Sequence, residues 1–233
     1  MKFNNDFIGY RDPGSVYRFS GGDHEKLFIH NLKTQPDEWY YRNRSITYEI
    51  NNLGHRCKNI DDIDLDNYIL FTGCSHTEGI GLELEKTFPY LTANDLGMDY
   101  YNLALGGSGI DVMTHNLIMW IHTVKKLPKA LIIMWPETTR YAHLDETDKV
   151  LHLELPSTIN ADSKKFMVMG DKLNFFETVR CMSEKIINAA YTCKTIHLET
   201  GIPQQGDKAR DLCHAGILKN RAVADQLVQN LKG

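Results

Sequence analysis

A three-layer α/β/α sandwich with a mostly parallel sheet is the fold class this chain predicts, on three observations. Short apolar runs at 68–72, 100–104, 130–135 and 194–199 alternate with longer stretches of helical periodicity, the order that a parallel sheet with crossover helices requires. The first run, Tyr68 to Thr72, is apolar, β-branched and aromatic and stops at Gly73, which reads as a buried strand delivering the next residues onto a tight turn. The length of 233 residues allows a sizeable core in one domain, and no repeat, low-complexity tract or linker divides it.

The elements follow in order. Thr87 suits a helix cap, Pro89 its first turn and Gly97 its end, the usual placement of proline and glycine at the two termini. YYNLA at 100–104 is the second strand, and Gly106 to Gly109 a flexible turn into a helix near Ile110 to Lys126. Ala130 to Trp135 is the third strand, closed by Pro136. Residues 174–190 carry a helical apolar pattern, 194–199 form a further strand, and Gly216 to Leu231 is a closing amphipathic helix.

Two regions fall outside this core, an N-terminal extension over 1–60 and an insertion or lid over 138–173. In the first, WYYRNRSITYEI reads as extended structure that covers the sheet or lengthens it. In the second, KFMVMGDKLNF shows two apolar runs around Gly170 and Asp171, a hairpin signal. A segment of this length serves either as an active-site lid or as a partner surface.

Lysine and arginine number 26 against 30 aspartates and glutamates, for a formal charge of −4. That balance gives no electrostatic case for nucleic acid or for an anionic membrane. No segment carries the uninterrupted apolar run of a signal peptide or a membrane span, so a cytoplasmic location is expected. Five cysteines, Cys57, Cys74, Cys181, Cys193 and Cys213, are odd in number and irregularly spaced, which points to reduced thiols.

The chemistry concentrates in YILFTGCSHTEGIGL at 68–82 and ARDLCHAG at 209–216. Ser75 falls at the carboxyl end of a strand, the edge of an open α/β sheet where ligands bind. Asp211 and His214 are three apart ahead of the last helix. That spacing lets the carboxylate orient the imidazole while the other ring nitrogen faces the serine, the arrangement that activates a hydroxyl. Asp211 is also placed to cap the final helix, and the two roles are compatible. A zinc site from Cys74, His76, Cys213 and His214 is disfavoured, because Cys-x-His and Cys-His are poor versions of the usual ligand pairs. No metal and no cofactor are expected.

On these residues the chain resembles the SGNH, or GDSL-type, hydrolase family. Gly73, Cys74 and Ser75 stand where the family has glycine, aspartate and serine, and Asp211, Leu212, Cys213 and His214 form its last block. YNLALGGSGID at 101–111 resembles the second block, and ITYEINNLGHR at 46–56 a segment often found before the first. The resemblance implies a flavodoxin-like SGNH hydrolase fold in a single domain over 1–233. It also implies Ser75 as nucleophile, His214 as base and Asp211 as its orienting partner. An oxyanion hole from the N–H groups of Ser75 and Gly107 follows, with Gly106 the neighbouring choice. The family's third block carries an asparagine that binds the oxyanion, whereas ALIIMWPETTR at 130–140 has none. Loss of one such donor typically lowers turnover by about a hundredfold to a thousandfold.

His76, Glu137 and Thr138 are the candidate substrate-binding residues, in a polar mouth with Glu78, Arg140 and Tyr141. The expected partner is a small-molecule or glycan ester, a small acyl group on a carbohydrate being favoured. The competing class is a binding or structural module that keeps the fold with little catalysis. Oligomeric state is not legible.

Overall fold

The computed structural model describes residues 2–4, 7–9, 11–136, 140–144, 151–154, 172–199 and 206–233. Two small antiparallel pairs come first: β1 (Lys2–Asn4) with β2 (Phe7–Gly9), and β3 (Val16–Tyr17) with β4 (Tyr48–Glu49). Between the members of the second pair lies α1 (Glu25–Thr34). Next come β5 (Tyr68–Thr72), the four-residue helix α2 (Ser75–Glu78), α3 (Phe88–Leu96), β6 (Asp99–Asn102), α4 (Ile110–Val124) and β7 (Ala130–Met134). The hairpin β8 (Tyr141–Leu144) and β9 (Leu151–Glu154) precedes α5 (Lys172–Ala190), β10 (Lys194–Leu198) and α6 (Ile217–Lys232).

The main sheet is wholly parallel in the order β10-β7-β5-β6. The chain runs outward from β5 to β6, then crosses back over β5 to β7. With right-handed crossovers, this reversal puts α3 and α4 on opposite faces. α6 packs on α3 and α5 on α4, which completes the three layers. Every residue of β5 and β7 is buried, so both strands are continuous apolar runs and not alternating ones. The topological switch point lies between them, and the crevice at their carboxyl ends is where a doubly wound sheet binds ligands.

Trp120 fills the core on the α4 side, its ring 4.3 Å from that of Tyr101. Its indole N–H donates to the Tyr68 hydroxyl at 3.0 Å, and that hydroxyl donates to the Lys126 carbonyl at 2.7 Å. Large aromatic polar groups are thus buried with their hydrogen bonds made. α3 begins after Thr87 with Pro89 in its first turn and ends at Gly97, whose φ of +62° is the left-handed closure that favours glycine. The Thr87 hydroxyl does not cap the helix. It donates to the Leu84 carbonyl, and the buried N–H of Phe88, which has no partner within the helix, is taken by Asn220 Oδ1 from α6 at 3.0 Å.

The extended reading of residues 39–50 holds only for Tyr48 and Glu49, and the pair they form is separate from the main sheet. The hairpin expected at KFMVMGDKLNF is corrected in part. Residues 165–171 lie outside the described residues, while Lys172 to Phe175 form the first turn of α5, because the helical apolar spacing starts there. The hairpin of this segment is β8 with β9. Among the described residues, no helix is long and apolar enough to cross a membrane, and the five cysteines are unpaired.

Candidate active site

Glycine is required at the end of β5. At Gly73, with φ of +155°, a Cβ would stand 2.3 Å from Thr77 Oγ1 and 2.8 Å from the Met134 carbonyl oxygen. The chain can therefore turn sharply and start α2 at Ser75, with buried Cys74 at the cap position. α2 ends at Gly79 in the left-handed region, where a side chain would collide with Thr87 Cγ2 at 2.2 Å. Ser75 is thereby held at the carboxyl edge of the sheet, on the switch-point crevice.

The loop at 209–216 is docked onto the chain just after α2. The Arg210 N–H donates to the Gly81 carbonyl at 3.0 Å, and a Cβ at Gly81 would lie 2.8 Å from Ala209 Cβ. Within the loop, Asp211 Oδ1 accepts the N–H groups of Cys213 and His214, each at 3.0 Å, and Asp211 Oδ2 pairs with His214 Nδ1. Burial pushes the Asp211 carboxyl up. The hydrogen bond and charge of His214, with the two backbone N–H groups, outweigh it, and the net shift is downward. Asp211 is thus ionised at neutral pH, and Nδ1 is the ring nitrogen it engages. Among the described residues the other nitrogen, Nε2, makes no hydrogen bond.

Leu212, between these two residues, has a φ of +58°. This strained conformation is unusual for a branched side chain and is retained only where surrounding contacts dictate it. Asp211 is not the cap of α6. That task belongs to Asp207, whose carboxylate accepts the N–H groups of Leu218 at 2.7 Å and Lys219 at 3.2 Å.

The two loops meet. The ring of His76, next to Ser75, stands edge-on to that of His214 with centroids 5.0 Å apart. Burial chiefly, with the nearby charges of His214 and Arg140, lowers His76 to about 4, so it is a neutral ring at ordinary pH. No hydrogen bond joins the Ser75 hydroxyl to His214 among the described residues, a looseness common in unliganded sites.

The glycine turn after β6 is strapped on both sides of Ser75. The Leu105 N–H at 3.3 Å and the Ser108 hydroxyl at 3.2 Å both donate to the Gly73 carbonyl. On the far side the Gly106 N–H donates to Glu78 Oε2 at 2.6 Å. Gly107 has a φ of +79°, and among the described residues its N–H makes no hydrogen bond. Asn102 is a structural bracket, its Nδ2 donating to the Thr77 carbonyl at 2.8 Å and its Oδ1 accepting from the Ala104 N–H at 3.1 Å.

Glu78 does not belong to the mouth. It is buried with its side chain fully covered and forms an ion pair with Arg11. Glu137 and Thr138 lie outside the described residues, and the side chain of Tyr141 is likewise not described. Arg140 stands near His76, and its carbonyl lies so close to Gly109 that a Cβ there would be 2.4 Å away.

The sequence reading missed the contribution of the first sixty residues. Asp23 takes a bidentate bond from Arg210, at 2.9 Å from Nε and 2.6 Å from Nη2. The Tyr48 hydroxyl donates to Asp23 Oδ2 at 2.6 Å and accepts the Gly81 N–H at 2.8 Å. Arg210 is further covered by the rings of Phe19 and Phe28, 4.7 and 5.2 Å away. Gly22 lies against the charged pair, a Cβ there being 3.4 Å from Asp211 Oδ2 and 3.6 Å from His214 Cε1. An open groove of about 580 Å³, walled by Trp39, Tyr40, Tyr41, Leu212 and Ile217 among others, runs along the outer side of the same loop.

No family profile matches the sequence, and no curated protein matches it. Solved structures similar to the chain include an acetyl xylan esterase from the rumen bacterium Butyrivibrio proteoclasticus, at 14% identity and a TM-score of 0.42 over 71% of this chain and 63% of that one. A family two carbohydrate esterase from Clostridium thermocellum, in complex with cellohexaose, shares 16% identity with a TM-score of 0.43 over 72% and 64%. A member of the lipolytic G-D-S-L family from Veillonella parvula shares 15% with a TM-score of 0.38 over 71% and 72%. The chain thus spans somewhat under two thirds of the length of the first two.

Proposed function

We propose that this chain is an SGNH-type serine esterase, working as one domain, that hydrolyses a small acyl ester, an acetyl group on a carbohydrate being the favoured substrate. The observation that carries the reading is the Asp211–His214 pair docked against the turn that presents Ser75. Ser75 Oγ attacks the acyl carbonyl while His214 Nε2 takes its proton. Asp211 stabilises the imidazolium, and the N–H groups of Ser75 and Gly107 receive the oxyanion. The imidazolium then protonates the leaving alcohol. Water, activated by the same ring, attacks the acyl-enzyme and returns the site to its start.

His76 and Arg140 at the mouth, with Trp39 and Tyr40 in the nearby groove, favour a polar acceptor with flat apolar faces. Glu137 and Thr138 remain candidates for the acceptor side. The lack of a Ser75–His214 hydrogen bond among the described residues, with no third-block asparagine, also suits a weakly active binding module. One experiment separates the two. Purified protein is treated with a fluorophosphonate probe and assayed on p-nitrophenyl acetate beside Ser75→Ala and His214→Ala. The esterase labels and turns over, and each variant loses at least about a thousandfold in rate. A folded wild-type protein that neither labels nor hydrolyses overturns the reading in favour of the binding module.

A further inference from the structure

We infer that the buried pair Arg11–Glu78 is a positioning device for the oxyanion turn, with Glu78 aiming the backbone and Arg11 masking its charge. The inference rests on the esterase reading above. Glu78 closes α2, one turn beyond Ser75, and its carboxylate is fully covered. Oε2 takes the N–H of Gly106 at 2.6 Å, a charge-assisted bond roughly twice as strong as a neutral one. That bond removes Gly106 from the set of free donors and fixes the Leu105–Gly106 peptide plane. Only the φ and ψ of Gly106 then stand between that fixed plane and the next N–H, that of Gly107, so the bond narrows the directions this donor can take.

An ionised carboxylate so close to a developing oxyanion would oppose it across a medium of low dielectric. The guanidinium of Arg11 sits on the same carboxylate, its side chain only 4% exposed, and cancels that field. Arg11 reaches the site from the N-terminal segment, held there with its Nη2 on the Ser20 hydroxyl and 5.9 Å over the Tyr48 ring. Neither residue touches the reacting atoms.

Four variants test this in the full chain on p-nitrophenyl acetate, with circular dichroism to establish folding: Glu78→Leu, Glu78→Gln, Arg11→Met, and Arg11→Met combined with Glu78→Gln. Glu78→Leu removes the acceptor, and kcat falls about tenfold to a hundredfold with KM within about twofold, the signature of an interaction used in the transition state. Arg11→Met leaves the charge bare and falls comparably. The combined variant keeps an amide oxygen for Gly106 without any charge and recovers most of kcat. The Gly106 amide proton, followed by NMR, exchanges at least about tenfold faster in Glu78→Leu than in Glu78→Gln. A folded Glu78→Leu with wild-type kcat, or a combined variant no better than Arg11→Met, overturns the inference while leaving the esterase reading intact. A wild-type protein that fails to label with fluorophosphonate overturns the esterase reading itself, and the inference with it.

Discussion

The sheet and the shell that the first sixty residues wrap around it are built from opposite materials. In the sheet, β5 and β7 are sealed by neighbours of the same kind, Ile69 beside Ala130 and Leu70 beside Leu131, and no charged side chain lies in either strand. In the shell, buried charge does the joining. Arg11 meets Glu78, Asp23 meets Arg210, and Arg56 donates to the carbonyls of Gly79 at 2.6 Å and Leu82 at 2.7 Å. Apolar layers tolerate exchange of similar shapes, whereas each buried ion demands its own partner. The sheet therefore decides where Ser75 stands, and the shell decides what surrounds it.

The sharpest way to break this contrast is Asp23→Ala. It strands the Arg210 guanidinium in the interior, and urea unfolding is expected to show a loss of about 3–5 kcal/mol, with slower fluorophosphonate labelling as the 209–216 loop loosens. A loss below about 1 kcal/mol would mean that water replaces the carboxylate and that the shell is not ionically sealed.

A smaller effect comes from protons. His55 is fully buried, its Nδ1 3.0 Å from the Tyr101 hydroxyl, and burial first, then Arg11, lowers it to about 3. His76 is lowered to about 4. Both rings are neutral when folded and take up a proton on unfolding once the pH is below about 6.5. Stability is therefore expected to fall over the first pH unit below about 6.5, by up to about 1.4 kcal/mol for each histidine. His55→Gln should remove about half of that slope, and a slope unchanged in the variant would show that His55 is not the proton acceptor. The smallest effect belongs to the sheet. Ile132→Val in β7 is expected to lose about 0.5–1.5 kcal/mol and leave the labelling rate within about twofold, since the neighbouring β5 still carries Ser75's turn to the same place.

The same contrast explains what the sequence could disclose. Tyr68 to Thr72 is the observed strand to the residue, because a strand covered on both faces must be continuously apolar and glycine must follow it. Asp211 and His214 were legible because the contact between them is local, three residues apart. Arg11, Asp23 and Glu78 were not, because each finds its partner far along the chain and nothing nearby distinguishes it from a solvated charge. Glu78 was accordingly expected at the mouth. Capping was misread for the same reason: Asn220 serves the start of α3 from 132 residues away. At the start of α6, two aspartates stood within reach and Asp207, not Asp211, took the helix. The hairpin expected near Gly170 failed where Lys172 to Phe175 continued the helical period.

The Asp23–Arg210 bond also sets a clock on biosynthesis. The chain is made from its amino end, and Asp23 precedes its partner by 187 residues. At roughly 5–20 residues per second, the carboxylate waits roughly 10–40 s on the ribosome before the guanidinium is made. The strand and turn that present Ser75 are complete early in that interval, yet the imidazole arrives only at its close. A nascent or prematurely released chain thus carries Ser75 on its turn without the Asp211–His214 pair that docks beside it.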